Sequence, residues 1–168
     1  MDVNDLLIEA FDRIPELVRA AVDGLTPEEL WWSPAPGANA IGWLVWHLTR
    51  VQDHHVADLL GTDQVWVSGD RAGHFGLDPD PANTGYGHTA AQMAAVRPDS
   101  PEALVDYYDA VAARTRTLLL GVTPAELDLV VDDRWEPPVT LGIRLISIVN
   151  DDDQHAGQAA YVRGLLKR

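Results

Sequence analysis

The chain has no cysteine, so no disulfide can staple it and no protein thiol can act as nucleophile or metal ligand. Any thiol chemistry needs a thiol brought from outside. Lysine occurs only at Lys167, and the arginines are scattered. With a formal net charge of −14 and no basic run, the surface repels a phosphate backbone, which argues against nucleic acid as a partner. No apolar run approaches the ~20 residues that span a bilayer, so no membrane association is expected. The acidic start "MDVNDLL" lacks the basic segment of a secretory signal. Cytoplasmic residence is the resulting expectation.

What remains is ample for a globular core. The chain has 168 residues, 46% of them hydrophobic, which predicts one domain over 1–168. Apolar residues at three- and four-residue spacing predict a helix over 3–23, kinked at Pro15 and stopped by Gly24. "TPEEL" at 26–30 carries a helix start, with Thr26 as cap, Pro27 in the first turn and Glu29 closing a capping box. A second long helix is predicted over about 39–60, a short one over about 89–97 and a third long one from Pro101 to about Leu120. Residues 61–88 show no periodicity, and a stretch of that length in a compact domain is expected to be functional or mobile.

The chain also echoes itself. "GVTPAEL" at 121–127 repeats "GLTPEEL" at 24–30, and each is followed by a loop with Trp and Pro and then a long helix. A shift of 100 residues aligns Gly42 with Gly142 and His55 with His155. The expected fold is all-α: an antiparallel four-helix bundle with long crossover loops and two similar halves about a pseudo-two-fold axis.

The fourth helix runs from "LGIRLISIV" straight into "DDDQHAGQ", which aims carboxylates and a histidine at the interior. Asp151 and His155 lie four apart, so a helix stacks them on one face about 6 Å apart, within reach of one metal ion. Asp152 is an alternative or assisting ligand, whereas Asp153 points elsewhere. The second helix offers His47, His54 and His55. Since about 12 Å of helix separates His47 from His55, and about 10 Å separates it from His54, only one can join an ion whose metal–nitrogen bonds are roughly 2.1 Å. His47 sits in the apolar part of "GWLVWHLTRV", so the expected ligands are His47, Asp151 and His155. Three protein ligands with a fourth position left open match a catalytic zinc site, and two nitrogens plus a carboxylate also suit nickel, iron or manganese.

"GWLVWHLTRVQDHH", "GYGHT", "RWEPPVTLGIRL" and "DDDQHAGQAAYVRG" together resemble the DinB-like superfamily, and within it the actinobacterial branch of mycothiol-dependent enzymes. The resemblance implies a helical bundle with three side-chain ligands on a divalent metal. It carries over to His47, to His155 and, four residues before the latter, to Asp151, where many relatives have His or Glu. It further implies mycothiol as thiol co-substrate and a small-molecule electrophile as the other partner.

The expected activity is a metal-dependent S-transferase, for detoxification, with the metal favouring the thiolate. A hydrolase on the same site and a non-catalytic metal-binding bundle are the alternatives. Asp152 and Gln158 are candidates to orient His155 through its other ring nitrogen; Gln158, Tyr161 and Arg163 are candidates to bind the thiol co-substrate, the last two through its sugar part. Trp43 and Trp46 fit a core role better than a pocket wall. His74, Tyr86 and His88 are candidate lid residues in the long loop. Glu9 and Arg13 have the spacing of a solvated helix pair. The sequence leaves monomer and homodimer both open.

Overall fold

In the computed structural model, which describes residues 1–166, the chain is mostly helical. The first helical rod is broken once, into α1 (Val3–Asp12) and α2 (Ile14–Val22), with Arg13 still in helical conformation between them. Pro15 lies in the first turn of α2, where its missing N–H is tolerated, so the predicted kink becomes a break two residues earlier. α3 (Pro27–Trp31) opens with the expected Thr26–Glu29 capping box. α4 (Ile41–Leu60), α6 (Pro101–Gly121) and α7 (Leu141–Leu166) are the three other long rods, and α5 (Ala90–Ala95) is a short turn capped by Thr89.

The rods pack in a cycle, α4 beside α6 and α7, and α2 beside the same two. Side-chain pairings give their directions. Arg19 pairs with Asp109 and Arg116 with Asp12, so the first rod and α6 are antiparallel. His47 meets His155 while His55 meets Arg144, so α4 and α7 are antiparallel as well. The other two neighbouring pairs are parallel. Arg50 and Gln52 of α4 reach Tyr107 and Thr115 of α6 in ascending order. On α2 and α7, Arg163 reaches Ala21 at one end, and Phe11 shares a cluster with Ile148 at the other. The segment between α4 and α6 is the long crossover that lets these two rods run in parallel.

That crossover is more ordered than its composition implies. It holds two 3₁₀ turns, Val65–Val67 and Ala72–Phe75, and it buries Val65, Trp66, Ala72 and Phe75 in the main core. Anchors this short and irregular leave no period in the sequence. Two antiparallel strands, β1 (Val130–Asp132) and β2 (Val139–Thr140), lead into α7; they are too brief to show an alternation.

The internal echo has a structural counterpart. Thr123 and Glu126 form a capping box like that of Thr26 and Glu29, although the second copy continues as a 3₁₀ turn, Pro124–Asp128. A Cβ on Gly42 would sit 3.0 Å from the Leu30 carbonyl oxygen, and one on Gly142 would sit 3.3 Å from the Leu127 carbonyl oxygen. In both halves the small residue lets the long helix pack against the end of its preceding turn.

The core has two apolar clusters with a polar layer between them. Four-residue steps cross it: Leu48, Gln52 and Val56 on α4; Val111, Thr115 and Leu119 on α6; Ile148, Asp152 and Ala156 on α7. Gln52 Nε2 donates to Thr115 Oγ1 at 2.7 Å in this layer. Among the described residues no helix is long and apolar enough to cross a membrane.

Candidate metal centre

α4 and α7 bring one donor atom each from His47, Asp151 and His155 to within 4.8 Å of one another. The imidazoles of His47 and His155 meet edge to face with centroids 4.8 Å apart. His155 Nε2 lies 3.6 Å from Asp151 Oδ1. Helical stacking at four-residue spacing produces this second contact directly. The first needs the antiparallel seam of α4 and α7.

Each histidine has its far nitrogen committed. His47 Nδ1–H donates to the Thr84 carbonyl oxygen at 2.6 Å, and His155 Nδ1–H donates to Gln158 Oε1 at 2.9 Å. Both rings are thereby held in the tautomer that leaves Nε2 as a lone-pair donor. Gln158 thus lies at the ring nitrogen of His155 that faces away from the cluster. His47 is only 6% exposed, and burial lowers its pKa, so it stays neutral and able to ligate. The Asp151 carboxylate raises the pKa of His155, with the Gln158 hydrogen bond adding to the effect.

The side chains of Asp151 and His155 are 29% and 18% exposed, so small molecules can approach the cluster from the α7 side. Asp151 Oδ2 is buried with no hydrogen-bond partner, which is costly for a carboxylate unless a cation takes it up. Two imidazole nitrogens and one carboxylate oxygen suit a divalent cation. Tetrahedral donors at about 2.1 Å from an ion lie roughly 3.4 Å apart, so closing on one takes only a small inward movement.

Other expectations about the site are revised. Asp152 neither replaces Asp151 nor orients His155, because one residue turns about 100° round the helix and Asp152 is fully buried in the polar layer of the core, with neither carboxyl oxygen hydrogen-bonded. Tyr161 is exposed and lies about 120° round α7 from His155, away from the cluster. Arg163 is engaged elsewhere: its guanidinium donates to the carbonyls of Ala21 and Asp23 and so caps the end of α2.

The tryptophans divide. Trp46 is fully buried core, whereas Trp43 stacks on His47 at 4.6 Å and meets His155 edge-on at 6.3 Å, so it walls the cluster. His88 is no free lid. It accepts from Trp43 Nε1 at 3.2 Å through Nδ1, donates through Nε2 to Asn83 Oδ1 at 2.8 Å, and stacks on Trp46. His74 pairs with Asp99 at the surface, and Tyr86 is almost wholly exposed. Asp153 is exposed, and Glu9–Arg13 is a solvated pair, both as expected.

Farther along the seam, Arg144 Nη1 donates to His55 Nε2 at 3.3 Å and Nη2 to Asp132 Oδ2 at 2.9 Å. Burial, reinforced by Arg144, drives the His55 pKa down to about 4, so this histidine is neutral. It serves the junction of α4, α7 and the hairpin, while His54 accepts from Gln64. Thr84 had no sequence signal as a site residue, because only its backbone takes part. Gly85 beside it stands in "GYGHT", but its φ of +91° and its close approach to His47 and Trp46 are properties of the folded chain.

A helical protein with a two-histidine, one-carboxylate cluster across two facing rods belongs to the class of bundle proteins with an inward-facing candidate metal centre. A family model for mycothiol-S-transferases matches residues 6–168, and the chain belongs to that family, within the DinB-like group. The crystal structure of a conserved protein from Enterococcus faecalis is similar over nearly the whole chain. It has 33% identity and a TM-score of 0.90, covering 99% of this chain and 98% of that one. Among curated proteins none matches.

Proposed function

We propose that the protein is a metal-dependent transferase that presents mycothiol as a thiolate to a small electrophile. The observation that carries this reading is the convergence of His47, Asp151 and His155 beside a buried carboxylate oxygen that has no partner. These three side chains would hold the cation, with zinc first and nickel, iron or manganese also compatible with the donors. A dication there supplies the charge that favours the thiolate of a thiol whose ordinary pKa is about 8.5.

The chain's own residues do the rest. Thr84 and Gln158 hold the imidazoles in the ligating tautomer. Trp43 closes one wall with an apolar face that excludes water. The partly exposed side of Asp151 and His155 admits the thiol and its electrophile together, and their orientation makes the encounter effectively intramolecular. The thiol proton passes to solvent, the sulfur attacks the electrophilic carbon, and the electron pair of the bond broken there either departs with the leaving group or, in an addition, stays on the substrate and takes up a proton from water. With no cysteine in the chain, the reacting sulfur comes from the co-substrate, in agreement with the family.

The test is turnover of a panel of electrophiles by zinc-loaded protein with and without mycothiol. Thiol-dependent adduct formation supports the proposal. Product formed equally well without thiol would point to hydrolysis on the same site.

A further inference from the structure

We propose that the segment 81–85, anchored by Arg50, is a positioning strap that sets the tautomer and aim of His47. The inference builds on the reading of His47 as a metal ligand, but its structural part can be tested without metal.

Arg50 is fully buried on α4, three residues beyond His47. A buried guanidinium needs its donors satisfied, and here they are spread over the strap and its support. Nε donates to the Asn83 carbonyl at 3.0 Å and Nη2 to the Pro81 carbonyl at 3.0 Å. Nη1 faces the Tyr107 hydroxyl at 3.2 Å and Asp53 Oδ2 at 3.5 Å. Asp53 in turn accepts from the backbone N–H groups of Val65 and Trp66 and from the Tyr107 hydroxyl. The Trp66 ring lies under the guanidinium at 5.0 Å. The planar fork is therefore fixed on every side, and it fixes two carbonyls of the strap.

The next residue in the strap, Thr84, presents its carbonyl to His47 Nδ1. A carbonyl can only accept, so it selects the Nδ1–H tautomer. Gly85 makes the approach possible. Its φ is +91°, and a Cβ there would stand 2.7 Å from His47 Nδ1 and 2.8 Å from the Trp46 ring. The middle of the strap is also tied back through the Asn83 side chain, His88 and Trp43, whose ring stacks on His47. α4 thus carries both the ligand and the anchor of the clamp that holds it.

The experiment uses the full chain labelled with ¹⁵N in its imidazoles. Metal-free wild type should show His47 with a protonated Nδ1 and an unprotonated Nε2. Arg50→Lys supplies one ammonium in place of the fork and should leave His47 as a mixture of tautomers, with zinc affinity about 10- to 100-fold weaker. Gly85→Ala disturbs the strap from its other end, leaves the Arg50 contacts intact, and should do the same. If Arg50→Lys does not fold, Gly85→Ala decides. A folded variant that keeps both the wild-type tautomer and the wild-type zinc affinity overturns the proposal. Wild-type protein that takes up no zinc would instead refute the metal reading, and the tautomer of His47 in the variants would still decide the role of the strap.

Discussion

Asp151 and Asp152 are neighbours in the chain with opposite surroundings: Asp151 sits beside His155 at the rim of the α4–α7 seam, and Asp152 is fully buried with both carboxyl oxygens unpartnered. Burial pushes the Asp152 pKa well above the usual carboxylate range, and the Asp151 charge adds to it. The folded state therefore holds a proton that the unfolded chain releases above about pH 4. Stability contributed by that proton is lost as pH rises from the unfolded toward the folded pKa. Asp152→Asn removes the titration, so in metal-free protein it should raise the melting temperature at neutral pH and flatten its fall with rising pH. A melting temperature lower than wild type at every pH would contradict this.

Loss of the ligands should be far more severe for metal than for fold. His155→Ala or His47→Ala should abolish stoichiometric zinc uptake, read by metal analysis after dialysis without chelator. The pH dependence has a defined sign. Because Asp151 raises the His155 pKa, protons compete for Nε2 over a wider acid range, and zinc affinity should fall as pH drops through that value. In metal-free Asp151→Asn protein, the His155 titration followed by NMR should move to lower pH.

Gln158 acts only through the far nitrogen of His155, so its removal should weaken the site without destroying it. Gln158→Leu is expected to reduce zinc affinity by about 10- to 100-fold, with little change in thermal stability, since Gln158 is exposed. An isothermal titration giving the wild-type affinity would assign the contact to helix-surface chemistry alone.

His55 should govern part of the acid sensitivity. Its folded pKa of about 4 lies below the unfolded value of 6.5, so the unfolded state binds more protons between the two. Stability is then lost as pH falls through this window, by about 3 kcal/mol once both states are protonated. Urea midpoints measured from pH 7 to pH 4 should show the loss in wild type and a shallower slope in His55→Gln.

The sequence displayed the long helices because each carries an apolar stripe at helical period, and it displayed the ligands on α7 because four-residue spacing is a local property. His47 was separable from His54 and His55 through its apolar neighbours, although only the packed seam shows it meeting His155. Long-range relations were not readable. Asp152 and Asp151 look alike in "DDDQH", and only the rotation of α7 against the core separates their roles. Arg163 and Arg144 are both arginines on the same helix, yet one caps α2 and the other braces the hairpin. The core anchors Trp66 and Phe75 lie in a segment without period. The Thr84 carbonyl is invisible in principle, because every residue has one.

The most direct measurement is X-ray absorption at the metal edge of zinc-loaded protein, before and after mycothiol is added. The account predicts two imidazole nitrogens and a carboxylate oxygen at about 2.0–2.2 Å, joined on addition of thiol by one sulfur at about 2.3 Å. A spectrum with no histidine scattering, or one that gains no sulfur while the thiol is being consumed, would contradict it.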